Sequence, residues 1–98
     1  MKHSISLLFV IAGLLVAGGA SAQSGEDLLK SKNCLNCHAM DKKKMGPSFK
    51  DVAAKYKADK DASGKLVTAL KEGKGHPVKA AATDPELKTM VDFVLSQK

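Results

Sequence analysis

Cys34-Leu35-Asn36-Cys37-His38 is the stretch that decides how this chain is built. Two thiols three positions apart can each bond to one vinyl group of the same porphyrin. The adjoining histidine then supplies an imidazole nitrogen to the iron, and the string Cys-x-x-Cys-His is accordingly typical of covalent haem attachment. We therefore predict one haem c, held by Cys34 and Cys37, with His38 as the proximal iron ligand.

Two other uses of the cysteine pair compete with haem attachment. A thioredoxin-like dithiol also has the spacing Cys-x-x-Cys, but it lies between a strand and a helix, and no alternating apolar and polar run predicts a strand here. A tetrahedral zinc site could take Cys34, Cys37, His38 and His76 as its four ligands. However, the adjacent residues Cys37 and His38 are awkwardly placed to bind one small ion, so haem is favoured.

The N-terminal segment has the features of a secretory signal peptide. Lys2 and His3 precede an apolar run over residues 5–17, which ends in Gly18-Gly19 and the small-residue site Ala20-Ser21-Ala22. The run of about 13 residues is shorter than the roughly 20 needed to span a bilayer. We predict cleavage after Ala22, a signal peptide over residues 1–22 and export to the periplasm, without stable membrane insertion afterwards.

The remaining residues, 23–98, are predicted to form one small domain. A domain of this size rarely buries enough apolar surface to be stable without a disulfide, a metal or another covalent support. A disulfide between Cys34 and Cys37 would close almost no loop and would constrain little of the unfolded chain. The few aromatic residues also predict a thin core, so a large attached cofactor is favoured as the missing support.

The positive charge comes entirely from lysine. Sixteen lysines, without any arginine, stand against ten acidic residues; without Lys2, which lies in the predicted signal peptide, the mature chain has 15 lysines and a net charge of about +5. Export, the lack of arginine and the lack of interleaved aromatic residues disfavour nucleic-acid binding. The lysines at positions 30, 32 and 42–44 flank the attachment motif. They either keep the domain soluble or steer it toward an acidic redox partner.

The mature chain shows helical patterns separated by loops, and residues 73–82 are irregular. The last helix is predicted to begin at Thr83, because Thr83 and Glu86 have capping-box spacing and Pro85 is tolerated in a first turn. Its apolar residues then recur at intervals of three and four. A polar linker is predicted over residues 57–63. Three shorter helices are predicted over residues 26–32, 49–56 and 66–72, so the expected class is all-α.

The mature sequence resembles the short bacterial class I cytochromes c. The resemblance covers nearly all of residues 23–98 and is carried by Glu26-Asp27-Leu28-Leu29, by the motif extended through Ala39 and Met40, by residues 45–53 and by the closing helix through residues 92–96. It implies a fold in which the first and last helices cross at one edge of the haem. It also implies that the Pro47 carbonyl accepts a hydrogen bond from the proximal imidazole.

The sixth iron ligand is where this sequence departs from that family. Its members usually place a methionine, commonly followed by proline, in the loop before the last helix, whereas this chain has His76-Pro77 there. Met40 is too close to His38 along the chain, Met45 precedes a turn on the proximal side, and Met90 lies in the apolar stripe of the last helix. We therefore predict His76 as the sixth ligand.

These observations together predict a monomeric, periplasmic, monohaem electron carrier without catalytic residues of its own. Imidazole is a stronger donor than a thioether and favours ferric iron, so two histidine ligands predict a low reduction potential. Two alternatives stay open at this point. The chain could be a ligand-binding or sensing haem protein with a labile sixth site, or it could be the electron-entry subunit of a larger redox complex.

Overall fold

The computed structural model describes residues 23–98, and the predicted signal peptide lies outside them. The described part is all-helical and contains no strand, which confirms the predicted class. No helix within it is long and apolar enough to cross a membrane. Its elements are a short 3-10 turn at Cys34–Asn36 and four α-helices: α1 (Gly25–Ser31), α2 (Phe49–Lys55), α3 (Ala62–Glu72) and α4 (Asp84–Leu95).

Hydroxyl side chains determine where three of the helices begin. Ser24, Ser48 and Thr83 are the N-caps of α1, α2 and α4, and each hydroxyl accepts the backbone N–H three residues later. These bonds satisfy N–H groups that have no partner within their helix. The capping box predicted at Thr83 and Glu86 is present in both directions. The start of α4, which closes the loop containing His76, is therefore fixed by local sequence.

The core is organised around α4, which packs against each of the other three helices. Leu87 is fully buried at its centre, and Met90 is almost as deeply buried. Leu28 and Leu29 of α1 are also buried, each at 3% exposure. The cluster consists of Leu28, Leu29, Phe49, Leu87, Met90 and Val94. Because only six side chains form this cluster, the fold has a small apolar interior for its size.

Helices α1 and α4 approach each other closely at Gly25. A Cβ atom at this position would overlap the Phe93 side chain and would lie 3.0 Å from the Thr89 carbonyl oxygen. A glycine there permits a helix-to-helix contact that a larger residue would hold apart. The packing of the first helix on the last, which the resemblance implied, is therefore present and depends on Gly25.

The start of α3 differs from the sequence prediction. The helix begins at Ala62 and not at residue 66, so the end of the predicted linker over residues 57–63 is helical. Two features explain the early start: the Asp59 carboxylate accepts the Asp61 backbone N–H at 2.9 Å, and Ala62 is 3% exposed. Burial of this small side chain outweighs the polar character of its neighbours.

The capping box leads to a prediction about acid stability. Bonds from the Thr83 backbone N–H and hydroxyl, together with Lys32, hold the pKa of Glu86 below its ordinary value of 4.5. The unfolded chain therefore binds this proton more readily, and the contribution of Glu86 to stability is present above pH 4.5 and lost as the pH falls through the folded pKa. We expect Glu86→Gln to lower the free energy of unfolding at neutral pH and to flatten its acid dependence.

Denaturant unfolding of both proteins from neutral pH to below 4.5 checks this expectation. Glu72→Gln is the matched control, because Glu72 is exposed at the end of α3 and carries the same charge without capping a helix. An acid dependence that is the same in Glu86→Gln and in the parent would contradict the capping account.

Candidate haem site

The attachment motif is folded into a tight turn. Asn33 has a left-handed backbone (φ 63°) directly before the 3-10 turn, and the Cys34 carbonyl accepts the N–H groups of Cys37 at 3.2 Å and of His38 at 3.1 Å. Asparagine tolerates this conformation better than most residues do. The turn brings both free thiols and the imidazole into one segment, with Cys34 and Cys37 each partly exposed. Both sulfurs are therefore accessible to a planar group lying against this segment.

The environment of Cys34 is that of an unactivated thiol. Burial raises the pKa of the Cys34 thiol, because a desolvated site disfavours the thiolate. Reactive dithiols of the thioredoxin type have a lowered thiol pKa and lie between a strand and a helix. Among the described residues there is no strand, and the Cys34 thiol shows the opposite pKa shift.

Gly46 and Pro47 hold the ring of His38. The Nδ1 atom of His38 lies 2.6 Å from the Pro47 carbonyl oxygen, and because a carbonyl can only accept, Nδ1 carries the proton and donates it. Gly46 donates its N–H to the Cys37 carbonyl at 2.7 Å, and a Cβ at Gly46 would lie 2.9 Å from both ring nitrogens. The contact implied by the resemblance is thus present, and it leaves Nε2 of His38 free to bind a metal.

His76 lies in the connection between α3 and α4, which is anchored at its two ends. Gly73 ends α3 in a left-handed conformation (φ 71°) and donates to the Ala69 carbonyl, while Ala80 donates to the Leu70 carbonyl at 2.9 Å. Between these anchors, Nδ1 of His76 lies 2.7 Å from the Val78 carbonyl oxygen. As with His38, the carbonyl requires Nδ1 to be the donor, so Nε2 is again the free nitrogen.

The rings of His38 and His76 lie close together and nearly parallel. The ring centres of His38 and His76 are 6.2 Å apart, and the ring planes differ by 15°. In a metal-bound imidazole the nitrogen lies about 2.0 Å from the metal and about 1.1 Å from the centre of its ring. Two imidazoles on opposite sides of one iron therefore have ring centres about 6 Å apart. The observed separation fits a haem iron between the two histidines.

The methionines occupy positions that suit other roles. Met90 is 2% exposed within the core, as its helical position predicts, whereas Met45 is 86% exposed. Met40 packs against the core cluster next to the attachment motif. None of the three lies in the loop that contains His76. Of the four candidate sixth ligands, His76 is the one whose ring stands opposite His38.

The surroundings of the two histidines suit a large apolar group better than a small ion. Within residues 23–98, no three histidine, cysteine or acidic side chains converge as a metal-binding cluster, so the tetrahedral zinc alternative lacks its ligand set. Partly buried apolar side chains pack against the core cluster, and they include Leu35 of the motif and Ala80 and Ala82, which follow His76 in the loop. An apolar porphyrin face would cover this surface and remove it from water.

Two contributions to this site could not be assigned from sequence. The sequence pattern identifies Gly46-Pro47 as a turn, but it does not reveal that Gly46 is needed for space beside the His38 ring. The Val78 carbonyl carries no sequence signal, because every residue has one. The dipeptide His76-Pro77 between two glycines and a helix cap was the available indication that this loop is built for a ligand.

Comparison with known proteins identifies the family of this chain. The cytochrome c family model matches residues 22–98. Over the full length of both chains, the protein is 39% identical to cytochrome c-551 of Pseudomonas aeruginosa and 36% identical to cytochrome c-552 of Nitrosomonas europaea. The crystal structure of the Nitrosomonas europaea cytochrome c552 superposes with a TM-score of 0.67 at 32% identity, covering 74% of this chain and 99% of that one.

A second solved structure extends the comparison to another bacterium. The class 1 cytochrome MtoD from Sideroxydans lithotrophicus superposes with a TM-score of 0.63 at 32% identity, covering 74% of this chain and 91% of that one. The match of the family model spans the motif, the His76 loop and all four helices. The chain therefore belongs to the cytochrome c family, as a small bacterial class I member with one covalently bound haem c.

Proposed function

We propose that this protein is a periplasmic one-electron carrier whose haem iron is ligated by His38 and His76. The observation that carries the proposal is the pair of nearly parallel imidazoles 6.2 Å apart. Each has its Nδ1 hydrogen-bonded to a backbone carbonyl, which leaves its Nε2 free. The predicted signal peptide over residues 1–22 and the similarity to cytochromes c-551 and c-552 support the location and the role.

The haem would supply the one-electron chemistry, and the chain would set its potential, its exposure and its partners. Cys34 and Cys37 would hold the group covalently. Donation from Nδ1 to a carbonyl increases the electron density on the other imidazole nitrogen, and this bond is made by both histidines. Two strengthened imidazole donors favour ferric iron over ferrous iron. The proposed carrier therefore works at a lower potential than a protein with methionine and histidine ligands.

Absorption spectra of the oxidised and reduced protein, with and without carbon monoxide, test this ligand pair. We expect a low-spin spectrum in both oxidation states, no far-red thioether-to-iron band in the oxidised protein, and slow or absent carbon monoxide binding. Potentiometry should give a value below that of carriers with methionine and histidine ligands. A thioether band would contradict the proposal, and rapid carbon monoxide binding would instead favour a ligand-binding or sensing protein.

The lysines near the motif are proposed to dock an acidic redox partner. Lys44 donates its Nζ to the Leu35 carbonyl at 3.0 Å, which places the segment 42–44 directly against the attachment turn. Lys30 and Lys32 pair with Glu26 and Glu86, so part of their charge is already balanced. Among the described residues, Lys42 and Lys43 are exposed and make no salt bridge, and they remain available for a transient contact.

Reversal of these two charges should slow electron exchange with the partner. At low ionic strength we expect Lys42→Glu with Lys43→Glu to reduce the association rate about 10-fold and to weaken its salt dependence, because steering depends on unscreened charge. The pair Lys57→Glu and Lys60→Glu is the matched control, with the same change in charge between α2 and α3. Stopped-flow exchange with a physiological acidic partner measures both. If the two double variants exchanged electrons at equal rates, the lysines of the 42–44 segment would not steer the partner and would serve only to keep the protein soluble.

A further inference from the structure

The loop that contains His76 orients its imidazole through one backbone carbonyl. The Val78 carbonyl oxygen lies 2.7 Å from Nδ1 of His76. On the other ring, the Pro47 carbonyl makes the equivalent bond to Nδ1 of His38 at 2.6 Å. A hydrogen bond to one imidazole nitrogen fixes both the tautomer and the rotation of the ring about its side-chain bonds. The two carbonyls together therefore account for the 15° angle between the ring planes.

The position of Val78 is explained by its backbone and not by its side chain. Val78 is 62% exposed and is one of the few large apolar residues on the described surface. Burial of its side chain therefore contributes little to holding this part of the loop. Pro77 separates the imidazole from the accepting carbonyl and restricts φ to about −65°. The restricted proline and the anchor from Ala80 to Leu70 hold the carbonyl within reach of the ring.

We propose that Val78 is a positioning residue for the sixth ligand: its main-chain carbonyl holds the His76 imidazole in the Nδ1–H tautomer, nearly parallel to His38. This inference rests on the proposed ligation by His76 and adds the group that orients it. The carbonyl also affects the electronic structure of the iron, because it sets the plane of the His76 ring. Two imidazoles with parallel planes donate π density to the iron d orbitals along the same direction.

Electron paramagnetic resonance of the oxidised protein reads the ring orientation directly. Nearly parallel planes lift the degeneracy of the iron d orbitals and give a rhombic low-spin spectrum with three resolved g values. Perpendicular planes leave the orbitals nearly degenerate and give a single large g feature. We expect the rhombic spectrum for the parent protein and for Val78→Ala, the matched control that keeps the carbonyl and shortens the exposed side chain.

Replacement of His76 by Nδ1-methylhistidine removes the donated proton while keeping Nε2. Loss of the partner of a ligating histidine typically costs about 10- to 100-fold in metal affinity. Because carbon monoxide must displace His76, its apparent affinity for the reduced protein should rise by about the same factor. For the methylhistidine protein we expect this rise in carbon monoxide affinity, an altered electron paramagnetic resonance spectrum and a higher reduction potential. Pro77→Gly makes the backbone between the His76 ring and the Val78 carbonyl more flexible. This variant should change the carbon monoxide affinity, the spectrum and the reduction potential in the same directions, by smaller amounts.

The outcomes separate this inference from the proposed function. A parent protein with two histidine ligands and a single large g feature would overturn the parallel orientation while leaving His76 as ligand. Unchanged spectra and carbon monoxide affinity in both the methylhistidine and the Pro77→Gly proteins would overturn the role of the Val78 carbonyl. A thioether band or a high-spin iron in the parent protein would overturn the ligation by His76, and the inference with it.

Discussion

Replacement of His76 by methionine should raise the reduction potential and introduce a far-red thioether-to-iron band in the oxidised protein. The variant creates Met-Pro at the position where members of the family usually have it. A thioether is a weaker and softer donor that favours ferrous iron, and it would replace an imidazole strengthened by the Val78 carbonyl. We expect a rise on the order of 0.1 V, part of the roughly 0.8 V range over which axial ligands set haem potentials.

Potentiometric titration and the oxidised spectrum of His76→Met provide the measurement. Met45→Leu is the control, because Met45 is the most exposed large apolar side chain of the described residues and its replacement should alter neither quantity. If His76→Met had the potential and spectrum of the parent protein, His76 would not be an iron ligand. A change caused by Met45→Leu would identify that thioether as the ligand instead.

Gly46→Ala should destabilise the protein by displacing the His38 ring. The new Cβ would lie 2.5 Å from Cε1 of His38 and 2.9 Å from its two nitrogens, so the ring would have to move away from the Pro47 carbonyl. Insertion of a methyl group into a packed site typically costs about 1–3 kcal/mol. We expect a loss of this size and a smaller yield of protein with attached haem, since His38 would no longer be held for iron.

Gly64→Ala is the matched control for this substitution. Gly64 lies within α3, and a Cβ there would meet no atom within 4 Å. Alanine is preferred to glycine inside a helix by about 0.5–1 kcal/mol, so this variant should be slightly more stable than the parent. Denaturant unfolding of the two purified holoproteins gives both changes. Equal stability of Gly46→Ala and Gly64→Ala would show that the space beside the His38 ring is not required.

Local sequence was sufficient to predict the cofactor and most of the helices. The attachment motif is contiguous, because both thiols and the proximal histidine must reach one porphyrin and its iron. The helix starts at Ser48 and Thr83 follow from hydroxyl caps, which accept the backbone N–H three residues later. The apolar spacing of α4 predicted its buried face, including Met90, since helical periodicity depends on the chain alone.

Contacts between distant segments had to be read from the tertiary structure. The start of α3 at Ala62 depends on burial against other elements, which periodicity does not record. The space beside His38 depends on Gly46, and the orientation of His76 depends on the Val78 carbonyl. No residue type indicates in advance that two segments will approach each other closely or that a given backbone carbonyl will accept a hydrogen bond. Both features depend on how the chain is folded in space.

The sequence by itself determined that the cofactor is haem and predicted Cys34 and Cys37 as its attachment points and His38 as its histidine, because this chemistry requires neighbouring residues. It also suggested His76 as sixth ligand through the absence of a methionine from that loop. Only the tertiary structure decided that the imidazoles of His38 and His76 stand 6.2 Å apart and nearly parallel. These two residues are 38 positions apart in the sequence, and they lie close together because the anchored loop and the attachment turn converge in the fold. The spacing of residues along the chain does not predict this contact.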